Sequence, residues 1–178
     1  AFEQNPGYFP LGLLKARALE LLGLDHQAEG LVRELARRFP DRPEIVRELA
    51  SLEQRRGRPH EALAFHRVAL ALRYDDAGTR RSLVSGLVAL GRVEEAMKEQ
   101  RELNLLEPWS VETWLRTAEL AAANGLFDEA REGFARAREL APENAEVFER
   151  EGHALARLND TAGATASLAR ALELRPQD

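Results

Sequence analysis

The sequence predicts an all-α repeat protein, built from five two-helix units of 34 residues each. Three observations predict it. Gly23, Gly57, Gly91 and Gly125 recur at steps of 34 residues, and the next step lands on Asn159, the usual substitute for glycine in the left-handed conformation that ends a helix. Columns of small or apolar residues keep the same step. Within each unit, apolar residues recur at the three-and-four spacing of one helix face. A fixed period of this length marks a stacked array, whose units bury their apolar faces only against neighbours.

The columns set the boundaries. Ala28, Ala62, Ala96, Ala130 and Ala164 form one, and Ala16, Ala50, Val84, Ala118 and Gly152 form a second. Leu35, Ala69, Leu103, Ala137 and Ala171 are apolar throughout, and Pro40, Pro108, Pro142 and Pro176 form a closing column with Tyr74 as its one departure. Together they delimit a leader at 1–8 and a single repeat domain at 9–178, with repeats at 9–42, 43–76, 77–110, 111–144 and 145–178.

The elements follow in order. In the first unit Gly23 ends the first helix and His26 begins the second. The second unit opens on Pro43, which suits a first helical turn because its missing N–H has no partner there. Asp76, Ser110 and Asn144 stand as N-caps before the third, fourth and fifth units. In the fourth, the first helix runs from Val111 to Asn124 with Trp114, Leu115, Ala118 and Ala121 inward. Its second helix runs from about Phe127 to Leu140 with Ala130, Phe134, Ala137 and Leu140 inward, until Pro142 blocks continuation. Small residues in the columns let helices approach closely, where larger ones would overpack.

Composition narrows the function classes. The chain has 178 residues, 25 Lys+Arg against 30 Asp+Glu, and a net charge of −5, which is not the basic footprint of a nucleic-acid binder. With 44% hydrophobic and 31% charged residues it is neither disordered nor membrane-spanning, and no run of 18 apolar residues exists. The absence of cysteine removes disulfides, thiol nucleophiles and thiolate metal sites.

These residues resemble the tetratricopeptide repeat. That pattern sets a large aromatic, small residues, an aromatic, alanine and a closing proline at fixed places in 34 residues. The fourth unit supplies Trp114, Ala118, Ala130, Phe134, Ala137 and Pro142, and the fifth supplies Phe148, Gly152, Leu155, Ala164, Leu168, Ala171 and Pro176. Gly12 and Tyr74 depart from it. The resemblance covers 9–178 and implies a right-handed superhelical solenoid of five antiparallel helix pairs. It also implies a scaffold whose first helices line a concave groove for a peptide or helix of a partner protein.

Exposed places on the first helices are then candidate groove residues. They include Arg17, Arg47, Ser51, Arg81, Ser85, Arg116, Glu119, Arg150 and His153, with Leu13, Glu20, Glu44, Arg55, Val88, Glu112, Ala122, Glu146, Glu149 and Arg157 beside them. Arginine recurs, and its fork grips a carboxylate through two hydrogen bonds. The implied ligand is an acidic peptide or a free C-terminal carboxylate. The alternative is a solvated face, in which pairs such as Glu112–Arg116 and Glu146–Arg150 satisfy one another at i, i+4. The carboxylate clamp of the chaperone-binding members is not reproduced: at its places stand Arg47, Ser51, Gly78, Ser82 and Arg116, without its asparagines.

Catalytic signals are weak. Among the four histidines, His60 and His66 are six apart and share no helical face, His26 and His60 read as exposed turn residues, and His153 reads as the one facing the groove. No metal, no cofactor and no enzymatic activity are expected, and no nucleic-acid partner. The Arg33, Arg37, Arg38 and Arg42 cluster is interleaved with Glu29, Glu34 and Asp41.

The ends carry a further expectation. Leu155, Leu158, Leu168 and Leu172 read as an apolar surface left uncapped at the C-terminal end, open to self-association or to the continuation of a longer parent. Trp109 caps the next helix pair or anchors a partner. The Ala-, Leu-, Arg- and Glu-rich style looks like repeat segments of bacterial multidomain or cell-envelope assembly proteins, some next to transglutaminase-like domains. The expected molecule is soluble, in a bacterial cytoplasm or periplasm. The roles competing with groove binding are an architectural or self-assembly module, and a docking or regulatory arm of a catalytic domain.

Overall fold

The computed structural model describes residues 8–175, so the 1–7 part of the leader and Pro176 lie outside the described residues. Among the described residues the chain forms ten α-helices: α1 (Tyr8–Leu21), α2 (Asp25–Arg38), α3 (Pro43–Arg55), α4 (Pro59–Leu72), α5 (Ala77–Ala89), α6 (Val93–Leu106), α7 (Val111–Ala123), α8 (Phe127–Leu140), α9 (Ala145–Arg157) and α10 (Thr161–Leu174). The contacts divide them into two compact units, parting between Arg92 and Val93.

The turns explain the register. Gly23, Gly57, Gly91 and Gly125 have φ between 68° and 72°, and Asn159 has φ 61°. In that left-handed conformation the chain reverses, and the next residue reaches back to cap the helix it has left. The N–H of Leu126 donates to the Ala121 carbonyl at 2.9 Å, and that of Asp160 to Leu155 at 3.0 Å. Helix starts are equally local. Asp76 accepts from the Thr79 N–H at 3.0 Å, Ser110 from Thr113 at 3.2 Å and Asn144 from Glu146 at 3.0 Å, as the cap residues predict. Asp160 caps α10 through the Gly163 N–H at 2.9 Å.

In the first unit α1 packs on α2, α2 on α3, α3 on α4 and α4 on α5. Its core gathers Val32, Leu35, Ile45, Leu63, Leu83 and Leu87. Gly12 stands in the aromatic place because Leu35 fills it: a Cβ there would lie 2.9 Å from both Leu35 methyls. In the second unit α6 packs on α7, α7 on α8, α8 on α9 and α9 on α10, around Met97, Leu115, Phe134 and Val147. The small-residue columns are buried in every repeat, Ala16, Ala50 and Ala118 completely.

Three side chains, Gln100, Asn104 and Thr117, form a buried polar layer between α6 and α7 together with the Thr113 carbonyl. The Gln100 amide donates to the Thr113 carbonyl and to the Thr117 hydroxyl, both at 3.1 Å, and the Thr117 hydroxyl lies 2.9 Å from Asn104 Oδ1.

Local expectations are corrected in three places. α7 ends at Ala123, and Asn124 caps it rather than extending it. Ala122 is in the core at 8% exposure, because it turns from the groove face toward α8 and α9. Trp109 does not cap the next helix pair, since it is 83% exposed. The indole that does brace the turn is Trp114, whose N–H donates to the Pro108 carbonyl at 3.0 Å.

Candidate functional site

The candidate residues separate into those that tie helices together and those that line a hollow. Arg17 reaches from α1 to Glu48 on α3 at 3.4 Å. Arg47 reaches from α3 to Asp76, the cap of α5, at 3.0 Å. Burial alone would raise the Asp76 pKa, but the Thr79 N–H and hydroxyl, together with Arg47 and Arg73, hold it below the ordinary carboxylate value. Arg47 therefore ties α3 to the start of α5.

Arg116, Glu119 and Arg150 belong to one network in the second unit. Arg150 grips Glu119 through two bonds of 2.7 and 2.9 Å and reaches Glu112 at 2.7 Å. Arg116 donates to the same Glu112 at 2.7 Å. The Glu119 hydrogen bonds push the Arg150 pKa further up, against the opposing effect of burial. Burial would raise the Glu112 pKa, and the two guanidinium groups overcome it and lower it. The i, i+4 partner of Arg150, Glu146, is a looser contact at 3.6 Å. The face carries its own anions, and its arginine fork is filled by them.

Ser51, Arg81 and Ser85 come together. With Gln54, Arg55, His66, Ser82 and Gly86 they line a hollow of ≈450 Å³ in the first unit. α3 supplies one wall, α5 the other and α4 the floor. Two guanidinium groups, three hydroxyls, an amide and an imidazole line it, and no lining residue is acidic. Arg55 is also bonded to Glu20.

His66 is the residue that sequence reasoning missed. It is 6% exposed, and its Nδ1 is buried with no hydrogen-bond partner. Burial lowers its pKa, and the Arg47 charge lowers it further, so the imidazole is neutral near pH 7. A signal existed: His66 occupies the column of Val32, Gln100 and Phe134, and all of these are buried. His153 does not share this hollow. It lies exposed in the second unit, beside Glu143, Glu146, Glu149 and Arg150 in a hollow of ≈610 Å³.

Among the described residues no group of three His, Asp or Glu side chains is placed to hold a metal ion, and no helix is long and apolar enough to cross a membrane.

Paired helices turning at a left-handed residue every 34 positions, with a hollow between neighbouring first helices, define a class of helical-repeat protein. The particular fold within it is the tetratricopeptide repeat, as solved structures show. MamA from Desulfovibrio magneticus RS-1 is 18% identical, with a TM-score of 0.77 over 95% of this chain and 96% of that one. YrrB, a TPR protein with an unusual peptide-binding site, is 19% identical, with a TM-score of 0.73 over 93% of this chain and 86% of that one. A tetratricopeptide repeat protein from Parabacteroides merdae is 17% identical, with a TM-score of 0.80 over 96% of this chain and 68% of that one. No family model and no curated protein matches the sequence. The expected all-α array of helix pairs and its resemblance to this repeat are borne out; at these identities the likeness concerns the fold alone.

Proposed function

We propose that the chain is a non-enzymatic protein-interaction scaffold, and that its first unit receives a peptide or helix of a partner protein in the hollow between α3 and α5. The observation that carries this reading is the gathering of Ser51, Arg81, Ser85 and His66 around one concavity with no carboxylate among its lining residues. Such a lining complements a ligand rich in acceptors: an acidic segment, or one ending in a free carboxylate, but not a nucleic acid, given the net charge of −5. Arg17, Arg47 and Arg150 act as positioning residues, because their forks tie neighbouring first helices. The peptide-binding site of the structurally similar YrrB supports the same use of the fold.

The test is a displayed peptide library panned against the native chain and an Arg81→Glu variant. Acidic or carboxylate-ended peptides should be retained by the first and lost by the second. Retention of the same peptides by both would remove the hollow from the reading. No enrichment by either would remove the groove.

A second reading is architectural. Leu172 is 64% exposed on α10 beside the partly buried Leu168, which favours self-association through the C-terminal face.

A further inference from the structure

The contact of a second helix with the next first helix is seen four times inside the two units, as α2·α3, α4·α5, α6·α7 and α8·α9. Each of these buries the same positions. On the receiving first helix one position is Ile45, Thr79, Thr113 and Val147, all at 2% exposure or less. The same position in α1 is Leu11, which is 68% exposed. The next position along that face is Leu49, Leu83, Thr117 and Glu151, all buried, and in α1 it is the exposed Lys15. Among the described residues, this face of α1 has no helix packed on it.

α10 presents the other half. Its Leu168 stands in the column of Val32 and Phe134, and its Leu172 in that of Leu70 and Asn104, both 7% exposed where the following helix covers them. Leu172 lines a hollow of ≈330 Å³ with His153, Leu168, Ala171 and the ion-paired Glu149 and Arg175. In the column frame this is the first unit's hollow with one wall missing: His153 stands for Ser51 and Leu168 for His66. The missing wall would be a first helix.

The chemistry of the two open faces matches. Inside the chain this interface carries ion pairs, Arg33–Glu53, Arg56–Glu29 and Arg138–Glu151. At the corresponding places the open faces hold Ala169 against Leu19, Leu22 against Thr165, and Leu172 against Lys15. Each charge that would lose its partner at such a junction is replaced by an apolar or neutral residue, except Lys15, whose methylene stem covers a leucine while its ammonium stays in water. From this we infer that α10 of one copy docks on α1 of a second copy, head to tail, repeating the interface already present four times within the chain. The inference rests on the architectural reading and names the surface that the C-terminal face meets.

A head-to-tail contact joins two different faces, so it can be complemented. The experiment is sedimentation of the full chain from micromolar to near-millimolar concentration, with Leu11→Glu, Leu172→Glu and their equimolar mixture. Both substitutions fall at exposed positions, and circular dichroism checks the fold. Ala18→Glu and Ala169→Glu form a second pair on the same faces. The native chain should associate as concentration rises, each variant alone should stay monomeric, and the mixture should form a one-to-one pair. A monomeric native chain would overturn both the inference and the architectural reading. Association lost in Leu172→Glu but kept in Leu11→Glu would leave the architectural reading and overturn the inference, because α10 would then meet its own kind. A mixture that stays monomeric would overturn it as well.

Discussion

The α3–α5 hollow of the first unit and the α7–α9 face of the second occupy the same place in the repeat, yet they offer a ligand different things. One column runs Arg17, Ser51, Ser85, Glu119, His153. In the first unit its serines line a hollow with no acidic neighbour in the lining. In the second, Glu119 stands where a serine stood, and it draws the Arg150 guanidinium into a two-bond grip. The α7–α9 face thus carries its anion in the column itself, whereas the acid bonded to Arg55 in the first unit, Glu20, comes from α1 outside the lining. In a repeat protein the backbone assigns a position its direction, and a single side chain decides whether that position receives a ligand or closes on itself.

The largest expected effect breaks the comparison from the first unit. Ser51→Glu with Ser85→Glu places acids in the hollow, and an acidic peptide selected on the native chain should bind about 30- to 100-fold more weakly, roughly 2–3 kcal/mol. A fluorescence-anisotropy titration reads this directly; unchanged affinity would place the peptide elsewhere. Next comes the tie itself. Arg150→Ala leaves Glu119 and Glu112 without their shared partner and should lower unfolding stability by about 1–2 kcal/mol in urea, a value already reduced for the solvent-facing Glu112. Arg116→Ala, an exposed i, i+4 pair, should change it by less than about 0.5 kcal/mol. Glu119→Ser imports the first unit's residue. It should cost about 1 kcal/mol of stability and give an Arg81→Glu chain a few-fold gain in affinity for acidic peptides.

The smallest effect concerns His66. Its pKa lies below the ordinary value near 6.5, so the unfolded chain binds the proton more readily than the folded one. The stability contributed by the neutral imidazole is present above that pH and is lost as pH falls toward the folded value, by at most about 1.4 kcal/mol per pH unit. His66→Gln, the residue already used in this column at Gln100, should flatten that slope in denaturation curves between pH 7 and 5; a slope unchanged by the substitution would assign the pH dependence to other groups.

The fold was legible because its signals are local and repeated. A left-handed residue at Gly23 or Asn159 and a cap at Asp76 or Ser110 each act within a few residues, and the period averages away the exceptions. The candidate site was legible only in part. Ser51, Arg81 and Ser85 follow from helix geometry, but what each arginine holds depends on residues far along the chain, such as Glu119 for Arg150 and Asp76 for Arg47. Pairing at that range has no periodic signature. His66 was passed over because it was weighed only against His60, whose spacing makes no metal pair, and only its column shows that the position is buried. Ala122 misled in the opposite way, since the groove face and the core face adjoin on a helix of small residues.

The buried layer of Gln100, Asn104, Thr113 and Thr117 has a consequence for how the chain finds its order. Five near-equivalent repeats can in principle pair out of sequence during folding, since apolar faces accept one another with little discrimination. This junction does discriminate. Docked on α6, a helix with an apolar residue at the Thr117 place would leave Gln100 and Asn104 one partner short in a dry contact, at a cost of about 1–3 kcal/mol. The layer therefore works as an index mark: it disfavours the neighbours that bring Leu49 or Leu83 to this place, and so narrows the order in which an otherwise repetitive message is assembled.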